Sequence, residues 1–379
     1  AVADAIGGAV EGWTPEQIEE RHGGRITGIV PPFNSNWRTA RPLAPYHKGD
    51  GHITDDTLMT IAVIETYERV RRHLTAYDVA AVLSPIMLHE PRWIPELETE
   101  TVLMNRVFFA EKWIVGRLHY GHVDPREAGV GNVVNCGAAM YMAPVGLTHP
   151  GNPHGAYAEA IDIAGAHQSS YGREAAGVFA AAVAAAVRPG STIDDVLASA
   201  LDVAHDGTRA AIAAVASAVA ETPVPQDDDD ARALAAAIRA AVAPYDSVGA
   251  EYRNMDADAR RPSRTMSIEE LPVALGLALA YRGQYWPAVL AAANYGRDSD
   301  SIAVMAGAVC AGLHGPGAVP QHVLAEVETA SRTPLTEWAV RHADTVLELV
   351  AADAARLTAM AASLESVLSA SPASPQGVE

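Results

Sequence analysis

Thr54-Asp55-Asp56-Thr57 runs directly into Leu58, Met59, Ile61, Ala62 and Ile64, and Asp298-Ser299-Asp300-Ser301 runs directly into Ile302, Val304, Met305, Ala308, Val309 and Leu313. The apolar spacing after each cluster is helical. Asp, Ser and Thr favour helix N-caps, so each cluster is expected to open a helix. A cap needs only one oxygen-bearing side chain. Four in a row, twice, exceed that need. Joined by the fold, they would form a nest of hard oxygen donors suited to Mg²⁺, Mn²⁺ or Ca²⁺ and not to a soft metal. Two ordinary caps is the plainer reading, and these residues alone leave both open.

Outward from the clusters, the 379-residue chain is rich in Ala, with 19% charged and 6% aromatic residues. Ala-rich stretches at 175–187, 198–219 and 231–243 favour close-packed helices, and strand alternation is scarce. The expected fold is all-α, one domain over residues 1–365. Residues 366–379, with Ser369, Ser371, Pro372, Ser374 and Pro375, read as a disordered tail. A net charge of −19 disfavours direct binding to nucleic acid or an anionic membrane, both of which need basic patches. Cys136 and Cys310 read as core thiols with no disulfide framework. With no signal peptide and no membrane-spanning stretch in the sequence, a cytoplasmic location is expected.

Residues 1–12 read as a Gly-rich helical segment that places Asp4 and Glu11, seven residues apart, on one face. Residues 23–50, with Pro31-Pro32, Pro42, Pro45 and Gly49-Asp50-Gly51, form a long loop leading into the first cluster, so a roof over the site is expected. Residues 90–100 are Pro-interrupted, and Trp93 reads as a packing anchor. In the turn-dense segment 148–155, His149 and His154 are candidate ligands, with surface-turn histidines the preferred reading. Asp227 to Asp230 read as solvated charges favouring the start of the next helix, and Ser267 to Glu270 has capping-box spacing.

Four blocks in order resemble the ADP-ribosylglycohydrolase family, which includes the dinitrogenase reductase-activating glycohydrolases. They are Ala3-Asp4-Ala5-Ile6-Gly7 with Glu11; Thr54-Asp55-Asp56-Thr57; Asn135-Cys136-Gly137-Ala138-Ala139-Met140-Tyr141-Met142-Ala143-Pro144; and Gly296-Arg297-Asp298-Ser299-Asp300-Ser301. The resemblance spans residues 3 to about 315. Relatives usually have a few residues before the first block, which implies a trimmed start.

The resemblance implies a helical fold and two bound Mg²⁺ ions, with Mn²⁺ as the alternative, held by Thr54, Asp55, Asp56, Asp298, Asp300 and Ser301. Ser301 stands where the family usually has Thr and keeps the hydroxyl. Four aspartates drawn together repel and raise one another's pKa, and a divalent cation neutralises them. The implied reaction is hydrolysis of a ribosidic bond through an oxocarbenium-like state, with Glu11, Asp55, Asp56 and Asp300 as the catalytic residues: Glu11 as acid or base, and the aspartates at the metals stabilising the developing charge. Asn135, Gly137, Met140, His167, Tyr295 and Arg297 are the implied substrate-binding residues. Arg297 replaces a family Gly, Tyr295 an aliphatic residue, Tyr141 an Arg and Cys136 an Asn. The family's Thr-His-x-His-Pro segment is reduced to Ala166-His167-Gln168-Ser169-Ser170. The implied substrate is ADP-ribosylated or ribosylated, and these departures point away from the usual ADP-ribosyl protein towards a smaller ribosylated metabolite or nucleotide. Two alternatives stay open: a glycosidase acting on a nucleoside-like metabolite, and a non-catalytic member of the fold similar to the J-type crystallins.

Overall fold

The computed structural model describes residues 1–34, 36, 48–245 and 267–370. Helices dominate, as the composition predicts. The sheet among the described residues is one antiparallel hairpin, Arg92–Ile94 against Thr99–Thr101, with Arg92 opposite Thr101 and Ile94 opposite Thr99. A 3-10 turn, Pro95–Leu97, joins the two strands, which accounts for the Pro-interrupted stretch.

Five helices make the centre: Val2–Gly7, Ser170–Ala186, Ser267–Ala280, Tyr285–Tyr295 and Ser299–His314 pack on one another. Ala175 to Ala186 are buried without interruption, because a helix apolar on all sides is stable only when surrounded. Small side chains let these helices approach closely. Gly7 is the sharpest case. A Cβ there would lie 2.4 Å from the Ser299 carbonyl oxygen and 2.6 Å from the Asp300 Cα. The N-terminal helix therefore rests backbone-on-backbone against the start of the late helix, and the Ser299 hydroxyl donates to the Gly7 carbonyl at 2.9 Å.

Both acidic clusters open helices, as expected. Thr54 is the N-cap of Asp55–Val70 and Asp298 the N-cap of Ser299–His314. Asp227 caps Asp228–Val242 by accepting from the Asp230 amide at 2.9 Å, with Asp228 and Asp229 exposed and Asp230 half-buried in the first turn. A helix also starts at Ser267.

Three expectations are corrected. The first helix ends at Gly7, so Glu11 does not share a helical face with Asp4; the Gly-rich run turns instead, with the Val10 amide donating to the Gly7 carbonyl at 3.0 Å. The last helix runs from Leu335 to Ala370, so 366–370 are helical, and 371–379 lie outside the described residues. Ala and Leu continue helical spacing past residue 365, and the Ser and Pro content behind the tail reading is concentrated beyond it. His149 is not a surface-turn residue: its side chain is 10% exposed and lies against Glu159. His154 is exposed beside Asp202, as expected.

The ends of the expected roofing loop lie near the clusters. Phe33 stacks on Trp13 with centroids 3.7 Å apart, and the Lys48 amide donates to Glu96 at 3.4 Å. Residue 35 and residues 37–47 of that loop lie outside the described residues.

Candidate metal centre

Asp4 organises the start of the Asp55–Val70 helix. One of its carboxylate oxygens accepts the Thr54 hydroxyl at 2.6 Å. The other accepts the Thr54 amide at 3.0 Å, the Thr57 amide at 3.2 Å and, at short range, the Thr57 hydroxyl. An acid on the N-terminal helix thus satisfies amides that the first turn of another helix leaves open. Its oxygens are spent on this task, while the Asp55 and Asp56 side chains are left to other partners.

On the far side, the backbone pairs residues 12–13 with Arg297. The Gly12 amide donates to the Arg297 carbonyl at 2.6 Å, and the Arg297 amide to the Trp13 carbonyl at 2.8 Å. This pairing, and not a helical face, delivers Glu11 to the late cluster. Carboxylate oxygens of Asp4, Asp56 and Asp300 lie within 4.8 Å of one another, and so do those of Glu11, Asp298 and Asp300. Asp300 belongs to both groups and joins them. All of these acids are buried.

The electrostatics are unfavourable without a cation. Burial pushes the Asp55 carboxyl up to about 7; Arg106 pulls it down, and Glu11, Glu96 and Asp4 push it further up. Burial raises Asp56 well above the carboxylate range, with Asp4, Asp55, Asp298 and Glu11 adding to the rise. Asp300 is raised likewise by burial, then by Glu11, Asp56, Asp298 and Asp4. Asp55 alone of these three has a protein cation in ion-pair contact among the described residues: Arg106 Nη1 lies 3.2 Å from its Oδ1, and Arg106 Nε binds Glu96. Arg106 is fully buried. Burial opposes its charge, but Asp55 and Glu96 outweigh that and hold it protonated.

The donors fit a hard divalent cation. Asp56 Oδ1 is buried and, among the described residues, accepts no hydrogen bond. Thr54 donates its hydroxyl proton to Asp4, which leaves an oxygen lone pair beside Asp56 at 3.4 Å. Oxygen-only donors with several negative charges suit Mg²⁺ or Mn²⁺. Ser301 is buried on the same turn, and its amide donates to Asp300 Oδ1 at 3.0 Å.

The middle block adjoins the late cluster through Cys136, whose thiol donates to Asp298 Oδ2 at 3.2 Å. Burial pushes this thiol up, and Asp298 and Glu270 push it further, so it stays protonated and inert as a nucleophile. Asn135 caps the following turn by accepting from the Gly137 amide at 3.0 Å and is held by Gln168 Nε2 at 2.8 Å. A Cβ at Gly137 would lie 2.5 Å from Glu111 Oε1, so a larger residue here would displace the Glu111 carboxyl. His167 sits behind Gly137, fully buried, its Nδ1 2.7 Å from the Tyr141 hydroxyl and its Nε2 3.5 Å from Glu111. Burial takes its pKa down to about 3, so it is neutral. Met140 is a core side chain beside them. Tyr295 and Arg297 converge on Glu269: the Tyr295 hydroxyl donates at 3.0 Å and Arg297 Nε at 2.7 Å. Both are buried.

Sequence reading missed Glu96, Arg106, Glu111, Glu269 and Glu270, all buried around the centre. Arg106 and Glu111 stand in no cluster of their own kind. Glu269 and Glu270 carried only a capping signal, and Arg106 reaches Asp55 from a short turn after the hairpin.

No curated protein matches this chain. A solved structure of an ADP-ribosylglycohydrolase-related protein complex is similar at 18% identity, covering 87% of this chain and 93% of that one with a TM-score of 0.49. The sequence model of ADP-ribosylglycohydrolases matches residues 1–358, all four blocks and the converged carboxylates included, and the chain therefore belongs to the ADP-ribosylglycohydrolase family.

Proposed function

We propose that this protein is a Mg²⁺-dependent hydrolase that cleaves the ribosidic bond of an ADP-ribosylated or smaller ribosylated substrate. The observation that carries the proposal is the meeting of Asp56, Asp298, Asp300 and Glu11 in one buried centre, with Asp56 Oδ1 left without a partner among the described residues. Thr54, Asp55, Asp56, Asp298, Asp300 and Ser301 would hold the cation. When bound, it supplies neutralising charge and Lewis acidity for a substrate diol or a water.

The chain's own residues divide the remaining work. Asp4 locks the first turn of the Asp55–Val70 helix, so Asp55 and Asp56 are presented without reorganisation. Arg106 fixes Asp55 from behind. Breaking the bond at the anomeric carbon sends its electron pair out with the leaving group and leaves positive charge on the sugar ring. The surrounding carboxylates stabilise that charge. To Glu11 we assign the proton transfer: it gives a proton to the leaving atom or takes one from the attacking water. Buried surroundings keep bulk water away from the reacting carbon.

The walls favour a substrate smaller than an ADP-ribosylated protein. Tyr295 and Arg297 fill the space beside the late cluster and are tied to Glu269. A nucleoside-like metabolite is the second reading that this filling supports. We place the enzyme in the cytoplasm, in keeping with two buried free cysteines; no described helix is long and apolar enough to cross a membrane. The test is a screen of ADP-ribose conjugates and ribosylated small molecules for aglycone release with Mg²⁺ and with EDTA. Release that is equal under both conditions, or release of nothing from any ribosylated compound, would sink the proposal.

A further inference from the structure

Away from the carboxylate centre, a second cluster joins residues from four separate parts of the chain. His73 follows the Asp55–Val70 helix, His149 lies between the helices Ala143–Leu147 and Pro153–Ala164, Glu159 is on the latter, and Asp353 is on the last helix. Glu159 Oε2 lies 2.6 Å from both His73 Nδ1 and His149 Nε2, while its Oε1 accepts from the Tyr67 hydroxyl and the Leu74 amide, each at 2.6 Å. His73 Nε2 lies 2.9 Å from Asp353 Oδ2. Arg356 holds the other oxygen of Asp353 at 3.2 Å. The two imidazoles stack with centroids 4.3 Å apart. A ring nitrogen from each and an oxygen of Asp353 lie within 4.8 Å of one another, half-buried.

We propose that His73, His149 and Asp353 form a second metal site of a different class, one that takes a borderline transition cation such as Zn²⁺, with Glu159 orienting the imidazoles or completing the set. The donor chemistry separates it from the first centre. Two imidazole nitrogens and one or two carboxylates suit Zn²⁺, whereas the acidic clusters offer only oxygen. Glu159 fits the outer role, since a metal-bound His commonly turns its other nitrogen to a carboxylate. Charge points the same way. Two ionised carboxylates and two neutral imidazoles sum to −2, and the exposed Arg356 beside Asp353 offsets part of that charge from its outer oxygen only, so the donor set still attracts a divalent cation. A metal–ligand distance of about 2.0–2.1 Å sets tetrahedral donors about 3.3 Å apart, so the observed spacing needs only small side-chain movements. The bound ion would staple the last helix to the body through Asp353.

The test loads the full-length protein with ZnCl₂ in excess Mg²⁺, which occupies the hard donors, and measures Zn after gel filtration by mass spectrometry. CoCl₂ substitution is read by visible absorption, which is intense for tetrahedral Co²⁺ and faint for octahedral. One Zn per chain, an intense Co²⁺ band and a rise in Tm of about 3–5 °C on Zn²⁺ addition are expected. His149→Gln and Asp353→Asn should each abolish all three while leaving Mg²⁺-dependent stabilisation in place. No stoichiometric Zn, a faint Co²⁺ band, or equal uptake by both variants would overturn the proposal; the cluster would then be a proton-bridged clamp.

Discussion

Asp56 and Asp300 are each the second residue of a helix, one near each end of the chain, and their carboxylates meet within 4.8 Å. Helix N-termini carry partial positive charge and would repel a bare cation, so the carboxylates must outweigh that field. Asp56→Asn or Asp300→Asn removes a formal charge with almost no change of shape. Turnover of a ribosylated substrate should fall by roughly 10²-fold or more, the scale of losing one electrostatic stabiliser. Tm without metal should hold or rise, because burial and neighbouring acids already resist these charges. Retained turnover in either variant would separate the centre from the chemistry.

The same charges make metal-free stability depend on pH. The folded pKa of Asp55 is raised from 3.8 to about 7, so the folded state holds this proton more tightly than the unfolded one. The penalty is absent below about pH 4, grows as pH rises and is complete above about 7. Asp56 and Asp300 shift in the same direction and extend the loss upward. In EDTA, Tm should therefore fall between pH 5 and 8, a range set by these shifts. Added Mg²⁺ should flatten the slope. A flat EDTA profile in thermal denaturation would contradict this account.

Arg106 is the buried cation that makes Asp55 tolerable. Replacing it with Met leaves Asp55 and Glu96 facing each other without its guanidinium, at a cost of about 3–5 kcal/mol. Adding Glu96→Gln to Arg106→Met should recover part of that loss, since one of the two stranded charges is removed. Urea denaturation of both variants measures the difference. Equal stabilities would mean that Glu96 is not stranded when Arg106 is lost.

The N-terminal helix has no room for a side chain where it crosses the late helix. In Gly7→Ala the new methyl would sit 2.4 Å from a backbone oxygen, so one helix must shift. Overpacking of this kind costs about 1–3 kcal/mol. The shift should separate Asp4 from Thr54 and Asp300 from Asp56, so turnover should fall more than stability. Ala5→Gly, on the same helix, lowers helix propensity and removes a buried methyl without adding bulk, so it perturbs the helix without forcing it off its neighbour. Comparable kinetics in the two variants would argue against a registration role for Gly7.

What could be read from sequence follows from what is local. The acidic clusters were legible because cap chemistry and helical periodicity act within a few residues. The Ala-rich central helices were legible because burial on every side leaves no polar face. The Gly-rich run reads as helical and puts Glu11 on one face with Asp4; the turn that brings Glu11 to the late cluster shows only in the pairing of residues 12–13 with Arg297. Arg106, Glu96 and Glu111 had no local signal, because their meaning is tertiary. His149 looked like a turn residue because its partners, His73 and Glu159, come from elsewhere in the chain.

Arg297 sets two opposing effects against each other. Its φ of +60° lies in the left-handed region, where a side chain costs about 1–2 kcal/mol and Gly costs little. Its guanidinium is buried on Glu269, and removing one member of such a pair costs about 3–5 kcal/mol. The second term is larger, so Arg297→Gly should destabilise the protein by a few kcal/mol. The double variant Arg297→Gly with Glu269→Gln removes the stranded charge and should expose the relief of backbone strain, so it should be more stable than Arg297→Gly alone. The late cluster keeps its backbone register in both, because the Arg297 amide and carbonyl bonds to residues 12–13 do not need the side chain. Mg²⁺ affinity by calorimetry should therefore change little. The space vacated beside Tyr295 should widen tolerance towards ADP-ribose conjugates, read as a rise in kcat/KM for them relative to the smaller substrate. An unchanged substrate ratio in the double variant, with Mg²⁺ affinity intact, would show that Arg297 serves the fold and not the choice of substrate.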